Sequence, residues 1–425
     1  MCGLRQAGIF THRQGEINLD RAEPLTITLV AYEEPEYLWG FFIRTRQIIK
    51  ALCALGNSVN IIELGYPGTR LRARVDGLES GNTTYLTINC VAQAPSKSIG
   101  LSPMRQLALQ VESLKTLRYM GLLRRSSAII VTSCLQALPA LVSKLLRVQV
   151  VLDINDVNSR VALRVQKRTT RILRYLLWRP LEGFVCELAG LILVNKEDEK
   201  EFLCKHIGVK QSKILVVNTC LVENEPDKHP KPRPDRFRFG NKRVVLFLAN
   251  MTAFMNRRSA EYITSHLALT FSEREKLKNV LFVLAGVGSD KLSYSTSNVM
   301  TTGTLDDQSV QALVDRADIC IDPASVAGGV KTKIQYYLKK GKVIVTTPEG
   351  AEGINLYGRK DIAFLKTPIE HFDDKLIQAL QDLETLKKLA VNNREIYERQ
   401  FSWNIFLDQM SRLTQRVSQK RQGLE

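Results

Sequence analysis

Twice along the chain, short β-branched and apolar runs alternate with helical segments, and a proline-rich stretch divides the two series. No other feature of the sequence limits the fold so strongly. The first series reads as strands at Leu25–Tyr32 (LTITLVAY), Ser58–Leu64, Thr83–Val91, Ala128–Thr132, Val148–Asp153 and Leu191–Asn195. Between them, Arg44–Leu55 places Ile48, Ile49, Leu52 and Leu55 on one helical face and ends at Gly56-Asn57, a C-cap signal. Gln106–Leu117 also has helical spacing. The second series runs Val244–Ala249, Val280–Gly286, Ile319–Asp322 and Val343–Thr347, with helices expected at Ser259–Leu269, Ser309–Arg316, Lys333–Lys340 and Lys375–Tyr397. Strands that are apolar without alternation are buried on both faces, which is the habit of parallel sheets built from βαβ units. Leu221–Gly240 (LVENEPDKHPKPRPDRFRFG) has the proline and charge content of a joint. The expected fold class is therefore α/β, with two Rossmann-like doubly wound domains facing a cleft. They span 1–221 and 241–400, are joined at 222–240, and are followed by a last helix, 401–425, packing back toward the first domain.

The charge is uneven. The 425 residues carry a formal net charge of +17. Between Arg160 and Arg179 stand Arg160, Arg164, Lys167, Arg168, Arg171, Arg174 and Arg179, with no acid among them. At about 100° per residue they share one arc of a helix, while Val165, Ile172, Leu173, Leu176 and Leu177 fall on the other. Surface helices usually mix charge signs, so a purely cationic face points to an anionic partner. Anionic lipid headgroups, a phosphate-bearing lipid and nucleic acid all fit, and no nucleic-acid motif accompanies the stretch. The expectation is membrane-surface binding through Arg160, Arg164, Lys167, Arg168, Arg171 and Arg174, with no specific nucleic acid.

Other classes are poorly served. No apolar run approaches the roughly 20 residues a spanning helix needs, and Met1–Thr11 lacks the pattern of a secretory signal. The eight cysteines form no C-x-x-C pair and sit mostly in apolar patterns, as buried thiols of a cytosolic chain do. The five histidines are scattered, so no metal site is expected. The expected location is cytoplasmic, peripheral on the cytoplasmic membrane face.

Several segments, in order, carry a resemblance. They are Arg44–Leu64, Leu191–Leu203 (LILVNKEDEKEFL), Lys213–Asn218 (KILVVN), Val245–Asn256 (VLFLANMTAFMN), Leu284–Gly288 (LAGVG), Asp322–Gly341, Gly350–Ile354 and Ser402–Trp403. Together they resemble glycosyltransferases of the GT-B fold, and most closely the retaining enzymes of glycosyltransferase family 4. The resemblance implies sugar transfer from a nucleotide sugar to a membrane-associated or lipid-linked acceptor, with no other cofactor. It implies donor contacts at Arg257, Gly329, Lys331, Lys333, Tyr336, Gly350, Glu352 and Gly353. Lys331 and Lys333 open a helix, where cations oppose the helix dipole unless an anion is present. Asp153 or Asp156, at a strand's carboxyl end, would orient the acceptor hydroxyl. The two glutamates of the family signature fall at Gly328 and Tyr336, and Asn155 stands where a histidine is common. These departures also fit a GT-B protein without catalysis, acting as a binding or partner subunit.

Overall fold

The computed structural model describes residues 24–32, 39–65, 83–89, 114–164, 168–221, 237, 239–326 and 331–423. The first series of runs becomes seven strands: β1 (Thr26–Tyr32), β2 (Ser58–Gly65), β3 (Thr83–Asn89), β4 (Ala128–Val131), β5 (Gln149–Ile154), β6 (Leu191–Val194) and β7 (Ile214–Val216). They form one sheet in the order β3-β2-β1-β4-β5-β6-β7. Every pairing in it is parallel. All four residues of β4 and of β6 are buried, as strands covered on both faces must be. One face packs against the Trp39–Ala54 helix through Ile48, Ile49 and Leu52. The other packs against Ala137, Ala140, Val185, Cys186 and Ala189, from the Ala137–Leu145 and Arg168–Leu188 helices and the residue after them.

The second series forms β8 (Arg243–Leu248), β9 (Val280–Ala285), β10 (Val299–Thr301), β11 (Ile319–Asp322), β12 (Val343–Thr346) and β13 (Phe364–Lys366). Their order is β10-β9-β8-β11-β12-β13, again all parallel. In both sheets the winding reverses beside the first strand, between β1 and β4 and between β8 and β11. Crevices at such switch points, beyond the strands' carboxyl ends, are where doubly wound sheets bind ligands.

The last helix, Trp403–Gln422, lies on the first domain. Phe406, Met410, Leu413 and Val417 recur at helical spacing and enter the same core as Ile48, Ile49 and Leu52. Burying each such side chain contributes roughly 1.5–3 kcal/mol before entropy is counted, so this crossing ties the two domains together.

Some expected elements differ. Lys375–Tyr397 is not one helix but three: Phe372–Gln381, Leu383–Ala390 and Asn393–Phe401. The breaks fall in stretches with no proline or glycine to mark them. Most of the 222–240 joint lies outside the described residues, but Phe237 and Phe239 are buried in the second domain's core, which therefore begins before 241. Of the expected helix Gln106–Leu117, residues 106–113 lie outside the described residues, and Leu114–Tyr119 is a 3-10 turn. The basic segment is two helices, Asn158–Leu163 and Arg168–Leu188.

Candidate active site

The carboxyl ends of β11 and β12 build the second domain's wall of the cleft. Asp322 ends β11 and is fully buried. The Thr332–Lys339 helix brings Lys333 to it. The Lys333 ammonium donates to Asp322 Oδ1 at 2.9 Å and Asn256 Oδ1 at 3.0 Å, and it lies 4.5 Å over the Phe247 ring. Lys333, expected as a free phosphate contact, is thus already held on three sides. Its positive charge is compensated by a buried carboxylate, which is the arrangement low-dielectric surroundings require.

Lys331 differs. It is 9% exposed and turns into a small pocket between the domains, lined also by Asn195, Lys196, Thr219, Gln335, Glu352 and Gly353. Burial lowers its ammonium pKa; Asp322 and Glu352 oppose the shift, while Lys333 and Lys196 add to it. Gln335 on the same helix is fully buried, and neither end of its amide has a hydrogen-bond partner.

The first domain reaches across to Glu352. Arg164 grips that carboxylate with both Nη atoms, at 2.6 and 3.0 Å. Arg160 Nη2 is 2.8 Å away and Lys196 Nζ 3.7 Å. Burial raises the Glu352 pKa, but the Arg164 hydrogen bonds and the charges of Lys196, Arg164 and Arg160 outweigh it, leaving the carboxyl below its ordinary value. Gly353 follows with φ +80°, and a Cβ there would stand 2.6 Å from Lys196 Cδ. Its bare backbone admits the lysine of the other domain. Arg160 and Arg164, expected on a membrane, and Glu352 and Gly353, expected on a donor, therefore meet one another across the domain interface. The sequence could not pair them, because 188 residues separate Arg164 from Glu352.

Asp153 lies in the interior of the first domain. Arg44 Nη2 lies 2.6 Å and Nε 2.8 Å from its Oδ1, and Nε lies 3.1 Å from Oδ2. Both partners are wholly buried. Arg44 goes on to donate to Val217 O at 2.6 Å and Thr219 Oγ1 at 3.3 Å. Thr219 donates to Asn195 Oδ1, and Asn195 Nδ2 to Asn155 O. This network fastens the ends of β5, β6 and β7, with Asp153 buried inside it. Asp156 stays near the cleft, half-buried in the turn after β5 and close enough to Glu199 to raise that carboxyl's pKa. Burial is the main cause of that rise, to about 8, and Lys196 opposes it.

Gly350 is needed for closeness. A Cβ would lie 2.2 Å from Thr346 Oγ1 and 2.9 Å from Asp322 O. Tyr336 is half-buried and packs on the second domain's core, with Lys340 Nζ 6.0 Å from its ring. Arg257 points outward and pairs with Glu261 at 3.1 Å on its own helix. Gly329 and Lys167 lie outside the described residues, as does the Arg168 side chain. Lys196, Gln335 and Arg44 were not foreseen; all three lie inside family-like segments, and Lys196 also stands at a strand's end.

The Arg168–Leu188 helix reverses one expectation. Tyr175, Trp178, Leu181, Val185 and Cys186 supply the stripe that meets the core. Ile172, Leu173, Leu176 and Leu177 lie off that stripe and are exposed, Leu173 and Leu176 by 61% and 62%. Arg174 and Arg179 are exposed beside them. Among the described residues no helix is long and apolar enough to cross a membrane.

Residues 242–382 match the family described as Glycosyl transferases group 1. Over 92% of this chain and 99% of its own, sucrose-phosphate synthase from Thermosynechococcus elongatus superposes with a TM-score of 0.68 at 16% identity. HepE of Anabaena, solved in complex with UDP and glucose, gives 0.66 at 12% identity over the same shares. A glycosyltransferase from Rickettsia africae gives 0.61 at 15% identity, over 94% of this chain and 99% of that one. No curated protein matches the chain. The fold is that of the GT-B glycosyltransferases. Within that class, the second domain groups with the group 1 glycosyl transferases, in accord with the family 4 resemblance.

Proposed function

We propose that the protein transfers a sugar, with retention of configuration, from a nucleotide sugar to a membrane-associated or lipid-linked acceptor at the cytoplasmic membrane face. The observation that carries this reading is Lys331, a buried lysine at the opening of the Thr332–Lys339 helix, inside the matched domain. A leaving diphosphate placed there meets Lys331 and the helix N–H groups, which stabilise charge as the glycosidic bond breaks. Lys333 and Asp322 set the wall behind it, and Asp156 orients the acceptor hydroxyl. Arg257, Gly329 and Tyr336 remain proposed donor contacts. HepE was solved with UDP-glucose, which favours a uridine diphosphate sugar as the donor class. Turnover of a nucleotide-sugar panel, with the product anomer read by NMR, tests the reading. Lys331→Ala is expected to cut transfer at least about tenfold; unchanged turnover would remove Lys331 from the site.

The membrane part rests on Leu173 and Leu176 standing exposed beside Arg171 and Arg174. An interfacial helix inserts leucines while arginines meet anionic headgroups. Flotation with anionic vesicles at low salt should carry the protein up, and Leu173→Ser with Leu176→Ser should release it. Tyr336 in place of a glutamate favours a second reading, a partner subunit that binds a nucleotide sugar without transferring it. Binding with no turnover of any donor would select that reading.

A further inference from the structure

We propose that Arg160, Arg164, Lys196 and Lys331 form a phosphate-binding site astride the domain interface, and that Glu352 occupies it as an internal competitor. The inference deepens the nucleotide-sugar reading, since it assigns both domains to the grip on one substrate phosphate.

Three observations carry it. First, one carboxylate answers a crowd of cations. Glu352 receives a bidentate arginine fork, a second arginine and a lysine. That donor geometry fits a phosphate as well as it fits a carboxylate. Second, a neighbouring buried amide is not satisfied. Lys331 is nine-tenths buried, and Gln335, wholly buried, has no hydrogen-bond partner at either end of its amide among the described residues. Both line the pocket that Glu352 closes. Buried polar groups in folded proteins are nearly always paired, so an orphaned amide that lines a pocket marks a place for a ligand. Third, the free space there is about 10 Å³, no more than one water needs. A phosphate enters only if the carboxylate leaves.

The other acids nearby do not neutralise the cluster. Asp198 lies 3.5 Å from Arg160 but is half exposed. Glu199 lies 3.6 Å from Lys196, and burial pushes its carboxyl pKa up. Asp322 also acts on Lys331, but its Oδ1 is held by Lys333. A phosphate group, carrying more charge than a carboxylate and three acceptor oxygens, would satisfy Arg160, Arg164, Lys196 and Lys331 together.

The decisive comparison is between Glu352→Gln and Arg164→Gln. Each breaks the same contact between the domains, so a merely structural latch would make both variants shift ligand binding in the same direction. A competitor makes them diverge. Calorimetric titration of the full chain with inorganic pyrophosphate should show binding about tenfold tighter in Glu352→Gln and about tenfold weaker in Arg164→Gln than in the parent. Glu352→Ala should repeat the sign of Glu352→Gln, which guards against an idiosyncratic fold defect. Parallel titrations with UDP and with a soluble alkyl phosphate separate the two sources of such a group, donor diphosphate and lipid phosphate. Shifts in the same direction, an unchanged Glu352→Gln, or no pyrophosphate binding in any variant would overturn the inference. Failure of sugar transfer alone would not, because these isotherms need no turnover.

Discussion

Replacing Asp153 should unfold the first domain early rather than leave a folded, inactive protein. Asp153→Asn keeps the shape and removes the charge that answers Arg44. Three short contacts join the two side chains, and neither is exposed. After the change, the partners of Arg44 among the described residues are neutral: the new amide oxygen, the Val217 carbonyl and the Thr219 hydroxyl. Removing one partner of a buried ion pair costs about 3–5 kcal/mol, because the other charge is stranded in low dielectric. A domain of some 150–250 residues loses about 2–4 °C of Tm per kcal/mol. The expected fall is therefore about 6–20 °C, followed by differential scanning fluorimetry of the full chain. Arg44→Met combined with Asp153→Leu should recover much of it, since an apolar pair leaves no stranded charge. A Tm within about 2 °C of the parent, accompanied by lost sugar transfer, would refute the argument and return Asp153 to the reacting groups.

Two further outcomes follow from the same packing. Gly350→Ala pushes a methyl into Thr346 Oγ1 and the Asp322 backbone, so urea unfolding should show a loss of about 1–3 kcal/mol. Glu182, fully buried at the start of the Asn158–Leu163 helix, accepts from the N–H of Asn158 at 2.6 Å and of Ser159. Burial pushes its carboxyl from 4.5 up to about 7, against the pull of those hydrogen bonds. The folded chain then holds a proton that the unfolded chain releases, so stability from this group falls as pH rises from about 4.5 to 7 and levels off above. Glu182→Gln should gain at most about 3 kcal/mol over the parent at pH 8 and little at pH 5; equal differences at the two pH values in urea melts would contradict it.

How much of this was legible beforehand differs element by element. The long apolar strands β1, β2, β5, β8 and β9 were readable, because burial on both faces leaves its mark on consecutive residues. The three-residue strands β7, β10 and β13 were not recognised as strands. Such short strands are held by one neighbouring ladder, and their own composition says little. The Arg168–Leu188 helix had a readable period, yet its apolar residues were assigned one face too many: the core took the Tyr175, Trp178 and Val185 stripe and left Leu173 and Leu176 outside. A helical period tells which residues share a face, not which face finds a neighbour.

The sequence by itself determined two parallel α/β units and the surplus of positive charge, because periodicity and composition are properties of neighbouring residues. Only the tertiary structure decided what the charges do. It laid the last helix on the first domain, buried Asp153 against Arg44, and closed Arg160, Arg164 and Lys196 on Glu352. The physical reason is that an ion pair depends on separation in space and on burial, which topology sets among residues far apart along the chain.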